Sequence, residues 1–395
     1  MAAFKTLDDM GDVNGKRVLV REDLNVPMAD GKVSDDTRLR ATIGTVCELA
    51  DRGAIVLILA HFGRPKAPAP EYSLAQIVKP YSELLGRPVR YIDWEDAEQN
   101  VATLQPGDIA VLENTRFFGG EEKNDPAVVD RFAALGDLYV NDAFSAAHRA
   151  HASTEGLAHR LPAFAGRQME AELKALQKAL GEPEHPVAAV VGGAKVSTKL
   201  DVLQHLVAKV DHLIIGGGMA NTFLAARGVD VGKSLCEHEL KETALRILDA
   251  ADRANCTVHL PYDVVVAKSF EANPPSVRTC NVHEVGGDEM ILDIGPAAVE
   301  ALADVLKTCR TLVWNGPLGA FEIAPFDAAT VALAKTAAAL TQSGSLVSVA
   351  GGGDTVAALN HAGVADEFSF VSTAGGAFLE WMEGKELPGV QALLA

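Results

Sequence analysis

The sequence lacks the features that mark secreted, membrane-embedded and zinc-binding proteins. Its five cysteines are scattered and include no C-x-x-C pair, so isolated thiols in a reducing compartment are expected rather than disulfides or a zinc site. No apolar run is long enough to cross a bilayer, and the acidic first residues contain no apolar stretch of the signal-peptide type. We therefore expect a cytoplasmic protein.

Positive charge is also scarce, with 35 Lys and Arg residues against 53 Asp and Glu and a formal net charge of −18. This balance argues against general binding to nucleic acids or membrane surfaces. An anionic ligand would need basic residues concentrated in one place, against the unfavourable field of the whole protein. At 395 residues the chain exceeds what one hydrophobic core usually organises, which predicts two domains.

Three familiar signatures of catalysis and nucleotide binding are missing. The sequence has no Walker A loop (GxxxxGK[ST]), no GxGxxG fingerprint, and no evident Ser-His-Asp set or reactive cysteine. A nucleotide site in this chain would therefore have a different construction.

What is present is an alternation of strand-like apolar runs with longer helical patterns, which is typical of βαβ units and a mainly parallel sheet. Near mid-chain, Arg167–Leu180 is rich in helix formers and ends in a Pro-punctuated turn, as expected of a helix that connects two domains. The predicted strands are Arg17–Val20, Ala54–Leu59, Ile109–Leu112, Leu138–Val140, Val187–Val191, Leu213–Ile215, Val264–Val266, Leu312–Trp314, Leu346–Val349 and Phe368–Val371.

Three arginines of the first half, Arg21, Arg64 and Arg116, each follow shortly after a predicted strand. In open α/β sheets, ligands bind outside the carboxyl ends of the strands. One such arginine is unremarkable at a surface, but three in the same topological position predict a basket for a small anion.

Two further arginines of this half need separate interpretation. Arg149 lies in a loop of small residues directly after a strand, which makes it a functional candidate, whereas the neighbouring His148 and His151 are interpreted as structural. Arg38 follows two aspartates where a helix begins, and spacing alone favours an ordinary surface ion pair with one of them.

The second half carries glycine-rich turns after five of its strands. In one of them, Gly351–Gly353 connects a strand to a helix expected to begin at Thr355, so backbone N–H groups and the helix dipole favour a phosphate. Asp354 would then hold Mg²⁺ beside the phosphates. The alternative is a tight turn in which Asp354 is a simple N-cap.

Lys195 and Lys199 follow another of these turns four residues apart, so on a helix they would share one face and repel each other unless an anion lies between them. Glu322 is a candidate acceptor for ribose hydroxyls, with a solvated glutamate at a helix start as the alternative. An arginine basket in one domain and a Gly/Lys/Asp surface in the other fit phosphoryl transfer, provided that a cleft between them closes and excludes water.

At this point the chain resembles the phosphoglycerate kinases along essentially its full length. The segments that carry the resemblance are Val20–Pro27, His61–Lys66, Glu113–Phe117, Asn141–Ser153, Gly192–Leu200, Gly216–Phe223, Trp314–Glu322, Gly351–Thr355 and Ser372–Ala377. The resemblance implies a hinge-bending, monomeric kinase of glycolysis and gluconeogenesis with two Rossmann-like α/β domains. Each domain would be a mainly parallel sheet flanked by helices.

The resemblance also implies domain bounds and a reaction. Residues 1–166 would bind 3-phosphoglycerate, 167–182 would form the connecting helix and linker, 183–377 would bind the nucleotide, and 378–395 would pack back on the first domain. The reaction would be reversible, Mg²⁺-dependent phosphoryl transfer between 1,3-bisphosphoglycerate and ADP, giving 3-phosphoglycerate and ATP. Transfer would be direct and in line, after domain closure.

Site residues are carried over position by position. The 3-phosphoglycerate site would comprise Arg21, Asp23, Leu24, Asn25, Arg38, His61, Phe62, Gly63, Arg64, Arg116 and Arg149. The nucleotide site would comprise Lys195, Lys199, Gly217, Asn315, Glu322, Gly352, Gly353, Asp354 and Thr355, with Asp354 toward Mg²⁺. Arg38 and Lys199 would stabilise the phosphoryl group during transfer, so the resemblance overrides the surface interpretation of Arg38.

Two positions depart from the family pattern. Glu22 stands where a smaller residue is expected, which has little consequence if its side chain points away from the site. Ala374 stands where the family usually has glycine, and it would strain the loop if that position needs a positive φ.

Two other functions compete with an active kinase of this family. One is a non-catalytic two-domain binder of phosphorylated metabolites, against which the joint presence of Lys199 and Asp354 counts. The other is a different small-molecule kinase acting on a carboxylate, which the order of the motifs disfavours.

Overall fold

The computed structural model describes residues 4–394 of the chain. These residues form two compact units, and the chain divides after Leu173 and again after Lys385, so its last residues belong to the first unit. The first division falls within the predicted connecting segment 167–182, whereas the second lies later than the predicted bound at 377. The second differs because the helix Gly375–Met382 stays in the second unit, where Phe378 is buried against Gly351.

The first unit is built around a six-stranded parallel sheet. Its strands are β1 (Arg17–Arg21), β4 (Ile55–Leu59), β5 (Val89–Ile92), β6 (Ile109–Leu112), β7 (Leu138–Asn141) and β8 (Ala163–Ala165), while β2 (Met28–Ala29) and β3 (Lys32–Val33) pair separately. The order across the sheet is β5-β6-β4-β1-β7-β8. Its helices are α1 (Thr37–Asp51), α2 (Ala75–Leu85), α3 (Ala97–Val101), α4 (Pro126–Ala133) and α5 (Leu157–Arg160), and α6 (Arg167–Leu176) begins in this unit and continues past its boundary after Leu173.

The strands of this sheet are apolar on both faces because both faces are covered. All five residues of β4 are buried, and in β1 Val18 and Val20 belong to one core cluster while Leu19 belongs to another. Near-continuous apolar runs of this kind are typical of strands in parallel sheets. The polar residues that follow each strand therefore lie at the edge of the core, where a ligand can reach them.

The second unit contains a larger parallel sheet and a small antiparallel one. The strands are β9 (Val187–Val191), β10 (His212–Ile215), β11 (Thr257–His259), β12 (Asp263–Ala267), β13 (Arg278–Asn281), β14 (Met290–Ile294), β15 (Thr311–Asn315), β16 (Val347–Gly351) and β17 (Phe370–Ser372). The orders are β11-β10-β9-β15-β16-β17 and β13-β12-β14. The helices are α7 (Leu200–Leu206), α8 (Gly218–Ala226), α9 (Lys241–Arg253), α10 (Pro296–Thr308), α11 (Ala328–Gln342), α12 (Gly353–Ala362) and α13 (Gly375–Met382), and α14 (Pro388–Gln391) returns to the first unit.

Several sequence predictions need correction. The predicted strand Val264–Val266 lies in the antiparallel sheet, with a register shift next to Val265, and not in the parallel one. The predicted helix Arg167–Leu180 is α-helical only to Leu176 and continues as a π-helical turn. Ala374 has φ −95°, so the strain expected from a left-handed residue does not arise. None of the helices within residues 4–394 combines the length and the apolar character needed to span a bilayer.

Candidate active site

A cavity of about 280 Å³ in the first unit is lined by residues that follow the carboxyl ends of its strands. Seven predicted site residues line it: Arg21, Asn25, His61, Gly63, Arg64, Arg116 and Arg149. Ser145, Ala146, His148 and His151 complete the lining. The cavity therefore brings together four arginines, the three that follow the predicted strands (Arg21, Arg64 and Arg116) and Arg149 from the loop after β7.

Arg21 is buried at the base of this cavity, where it fixes the state of His61. Its guanidinium donates to Ser153 Oγ (3.0 Å), to the Glu22 carbonyl and to His61 Nδ1 (2.9 Å). Because arginine has no acceptor, His61 Nδ1 must accept, and the ring proton is on Nε2. Burial and the charges of Arg21, Arg116 and Arg38 hold the pKa of His61 well below its ordinary value. His61 is therefore a neutral hydrogen-bond donor.

One buried N–H donor of Arg116 lacks an acceptor among residues 4–394. Its Nη1 donates to the Gly63 carbonyl (2.6 Å) and its Nη2 lies 3.4 Å from Glu122 Oε1. Its buried Nε has no partner among residues 4–394, and burial lowers the pKa of the guanidinium. An unpaired buried donor is costly, and an anionic ligand would supply the acceptor.

Asp23, Asn25 and Arg38 form one connected group. Arg38 Nη1 donates to the Asn25 carbonyl (2.8 Å) and lies 3.3 Å from Asp23 Oδ2. Ser145 Oγ donates to the same Asp23 oxygen (2.6 Å), and Asn25 Oδ1 accepts from Gly63 N (2.8 Å). These bonds hold together three segments that follow strands: the first contains Asp23 and Asn25, the second Gly63 and the third Ser145.

The interpretation of Arg38 from spacing alone is wrong. The ion pair of Arg38 is with Asp23, whereas Asp36 pairs with Arg40 and Asp35 accepts from Thr37. A contact between residues 15 positions apart in sequence cannot be inferred from the local pattern.

The remaining predicted residues of this site differ in whether they offer a ligand their backbone or their side chain. Leu24 and Phe62 have side chains in the hydrophobic core, so only their backbone groups are available to a ligand. Arg64 and Arg149 are exposed at the rim, and Arg149 Nε donates to His148 Nε2 (3.1 Å). Each of these two guanidiniums therefore faces solvent next to the cavity.

Four residues that line the cavity are absent from the site set predicted from the sequence: Ser145, Ala146, His148 and His151. All four stand in the loop after β7, and that position was the available signal. His151 is buried, and burial together with nearby arginines lowers its pKa to about 4, so it is neutral at physiological pH.

The second unit has a larger cavity, of about 550 Å³, at the corresponding edge of its parallel sheet. Gly217, Glu322 and Asp354 of the predicted set line it, but much of the wall is apolar. Leu235 and Phe270 belong to this wall and are 51% and 59% exposed, so the cavity offers large apolar side chains to a ligand. The size and the apolar wall suit a nucleobase.

Two glycines allow the turns of this site to pack closely. A Cβ on Gly217 (φ +67°) would lie 2.6 Å from the Gly193 carbonyl oxygen. A Cβ on Gly352 (φ +100°) would lie 2.6 Å from Asn315 Nδ2. Both positions therefore require glycine on two counts, backbone conformation and space.

The turn after β16 differs in detail from its prediction. Helix α12 begins at Gly353, not at Thr355, and its N-cap residue is Gly352, so the interpretation of Asp354 as a simple N-cap is wrong. Asp354 is exposed in the first turn. Thr355 is buried, and its Oγ1 accepts from Gly316 N (2.7 Å), which ties this turn to the one after β15.

The two lysines occupy unlike positions. Lys199 Nζ donates to Asn315 Oδ1, and burial lowers its pKa, opposed by the charges of Asp354 and Glu383. Lys195 is exposed, and α7 begins only at Leu200, so the prediction that both lysines lie on one helical face is wrong.

The residues around Asp354 fit Mg²⁺ held mainly by a nucleotide. Among residues 4–394, no group of three or more His, Cys, Asp and Glu side chains is arranged to hold a metal ion. Mg²⁺ usually needs only one or two carboxylates, because phosphates and waters complete its octahedral shell. An exposed carboxylate in the first turn of a helix that follows a glycine turn meets that requirement.

Comparison with known families identifies the chain. The model of the family described as phosphoglycerate kinase matches residues 7–385. The chain belongs to the phosphoglycerate kinase family. A phosphoglycerate kinase of Novosphingobium aromaticivorans is 80% identical over 392 residues, which cover 99% of each chain. One of Rhizorhabdus wittichii is 78% identical over 397 residues, covering all of both.

Solved structures agree. The structure of phosphoglycerate kinase from Coxiella burnetii superposes with a TM-score of 0.93 at 41% identity, covering 99% of each chain. That from Pyrococcus horikoshii gives 0.78 at 32% identity and 98% coverage of each. The two-unit α/β fold and the family resemblance are thus confirmed. A non-catalytic binding protein is not supported, since the named relatives are kinases.

Proposed function

We propose that this chain catalyses reversible phosphoryl transfer between 1,3-bisphosphoglycerate and ADP, giving 3-phosphoglycerate and ATP, as a cytoplasmic monomer. The family membership supports the reaction, with Mg²⁺ and ATP or ADP as the family's metal and nucleotide. The observation that carries the residue assignment is the pair of strand-end cavities, one with four arginines and one apolar with Asp354 at its wall.

In this proposal the first cavity binds 3-phosphoglycerate. The arginines neutralise its phosphate and carboxylate, and Arg116 Nε gains the acceptor that it lacks. His61 donates its Nε2–H, because its Nδ1 is held as an acceptor by Arg21. Arg38 and Asp23 do not line this cavity, but their ion pair and the bond from Arg38 to the Asn25 carbonyl hold the Arg38 guanidinium next to Asn25, which does.

The second cavity binds the nucleotide. The base occupies the apolar wall, Glu322 accepts from the ribose, and the N–H groups at Gly352 and Gly353 receive phosphate oxygens at the start of α12. Bound Mg²⁺ would neutralise phosphate charge beside Asp354. Lys199, oriented by Asn315, brings a partly desolvated cation to the phosphates.

Transfer itself requires little covalent chemistry from the protein. Arg38 and Lys199 stabilise the charge on the moving phosphoryl group, and the two ligands must meet with water excluded. Domain closure is therefore part of the proposal.

The test is Mg²⁺-dependent transfer from ATP to 3-phosphoglycerate by Arg38→Ala and Lys199→Ala. Each variant is expected to lose roughly 10²–10³ in kcat with the fold retained. Arg40→Ala is the matched control, since Arg40 lies on the same helix, is exposed and pairs with Asp36. If Arg38→Ala behaves like Arg40→Ala, the role given to Arg38 is wrong.

A further inference from the structure

Two buried carboxyl groups lie behind the first cavity and have no role in the proposed mechanism. Glu22 directly follows β1 and Asp142 directly follows β7, and the two residues are 1% and 3% exposed. Arg21 pairs with Asn141 in the parallel register, so Glu22 and Asp142 are the next pair across neighbouring strands. Their side chains therefore leave the same face of the sheet, with backbones roughly 5 Å apart.

Each of the two carboxyl groups has one buried oxygen that lacks a hydrogen bond among residues 4–394. Glu22 Oε1 and Asp142 Oδ2 have no hydrogen-bond donor among residues 4–394. The two groups are nevertheless within hydrogen-bonding reach of each other. Two ionised carboxylates this close together in a buried site would repel each other strongly. One proton between them satisfies both oxygens and leaves the pair with a single negative charge.

Burial raises the pKa of Asp142, and hydrogen bonds to its carboxyl group oppose that rise. Asp142 Oδ1 accepts from Met169 N (2.9 Å) in the first turn of α6. A Cβ on Gly166 would lie 2.2 Å from the same Oδ1, so the start of α6 fits tightly against it. Asp142 thus caps the connecting helix.

The environment of Glu22 favours its protonated form. Burial and the charge of Asp142 hold the pKa of Glu22 well above its ordinary value. Arg21 opposes this rise and Asp23 adds to it, and the phenol of Tyr81 also lies close enough to interact with both carboxyl groups.

We propose that Glu22 and Asp142 share one proton, and that this hydrogen bond fastens the substrate-binding end of β1 to the first turn of the connecting helix. At the Glu22 end, this hydrogen bond fixes the chain that leads into Asp23 and Asn25. At the Asp142 end, it fixes the carboxyl group that caps α6. Glu22 and Asp142 are therefore positioning residues. The inference rests on the proposed assignment of Asp23 and Asn25 to the 3-phosphoglycerate site.

Two substitutions mimic the one-proton pair. Glu22→Gln and Asp142→Asn each keep one negative charge and one hydrogen bond but remove the shared proton. We expect both variants to keep the neutral-pH kinetics of the wild type within about twofold. Glu22→Leu, which removes the polar partner, is expected to raise the KM for 3-phosphoglycerate about fivefold, the effect of one lost hydrogen bond, and to leave the KM for ATP unchanged.

The pH profile separates positioning from a merely structural role. In the wild type, the KM for 3-phosphoglycerate should rise at alkaline pH as the shared proton is lost, while the KM for ATP stays constant. In Glu22→Gln this rise should be absent. An alkaline rise of the same size in Glu22→Gln would overturn the positioning role. Should that variant fail to fold, Asp142→Asn makes the same test.

Infrared spectroscopy of the full chain tests the proton independently of substrate. The wild type should show the carbonyl stretch of a protonated carboxylic acid, and that band should lose intensity in both Glu22→Gln and Asp142→Asn. Unchanged bands in the two variants would overturn the shared proton. A lost band together with a KM for 3-phosphoglycerate that is flat with pH in the wild type would instead overturn the link to the site.

Discussion

The buried Asp293 should make the stability of the second unit fall as pH rises. Asp293 is the penultimate residue of strand β14, and it is 2% exposed. Its carboxylate accepts from Ala329 N and Ile294 N, both at 2.9 Å. Burial nevertheless outweighs these two bonds and raises the pKa of Asp293 from its ordinary 3.8 to about 8.

The sign follows from proton linkage. Because the folded pKa lies above the unfolded one, the folded state binds more protons between about pH 4 and pH 8. The contribution of Asp293 to stability is therefore fully present below pH 4, falls through this window, and is lost above pH 8. The slope is at most about 1.4 kcal/mol per pH unit, so the wild type should lose roughly 3 kcal/mol between pH 5 and pH 7 from this group.

Asp293→Asn removes the titrating carboxyl group but keeps the size and shape of the side chain. Asparagine turns an NH₂ toward one of the two backbone donors, which costs about 1–3 kcal/mol at every pH. The variant should thus be clearly less stable than the wild type at pH 5, and the difference should shrink or invert by pH 8.

The assay is urea unfolding of the full chain at pH 5, 6, 7 and 8, followed by tryptophan emission, which reports on the buried Trp314 in this unit. Asp263→Asn is the control, because Asp263 accepts from Ala297 N and Ala298 N but is only half-buried. A difference between wild type and Asp293→Asn that is constant over the four pH values would refute the reasoning.

Two further predictions concern the cavities, and a third concerns the packing of the turn after β9. Ser145→Ala removes the donor to Asp23 and should raise the KM for 3-phosphoglycerate about fivefold in steady-state assays, with Ser343→Ala as the remote serine control. Phe270→Ala should weaken ADP binding, measured by calorimetry, by roughly tenfold with an unchanged melting temperature, since Phe270 is 59% exposed; an equal loss for exposed Leu245→Ala would contradict this. Gly192→Ala places a Cβ 1.9 Å from the Pro317 carbonyl oxygen and should cost about 1–3 kcal/mol of stability, while Gly287→Ala, which meets open space, should not.

Local sequence was sufficient for much of the fold. Buried strands such as Val187–Val191 are apolar along their whole length, and their alternation with helices specifies parallel sheets. Strand β13, by contrast, has three exposed residues out of four and gave no apolar signal, and it is stable only because β12 lies beside it. The same holds for Val264–Val266, whose apolar pattern cannot distinguish a parallel partner from an antiparallel one.

The sequence by itself therefore determined the α/β class, the family, and the residue types at the strand ends. Those features depend on neighbours along the chain, where periodicity and turn chemistry act directly. Tertiary structure alone decided the partners. Arg38 bonds to Asp23, Thr355 accepts from Gly316, and Glu22 faces Asp142, each across a separation in sequence that no local pattern encodes. Protonation states were decided there as well, because burial and distant charges set them.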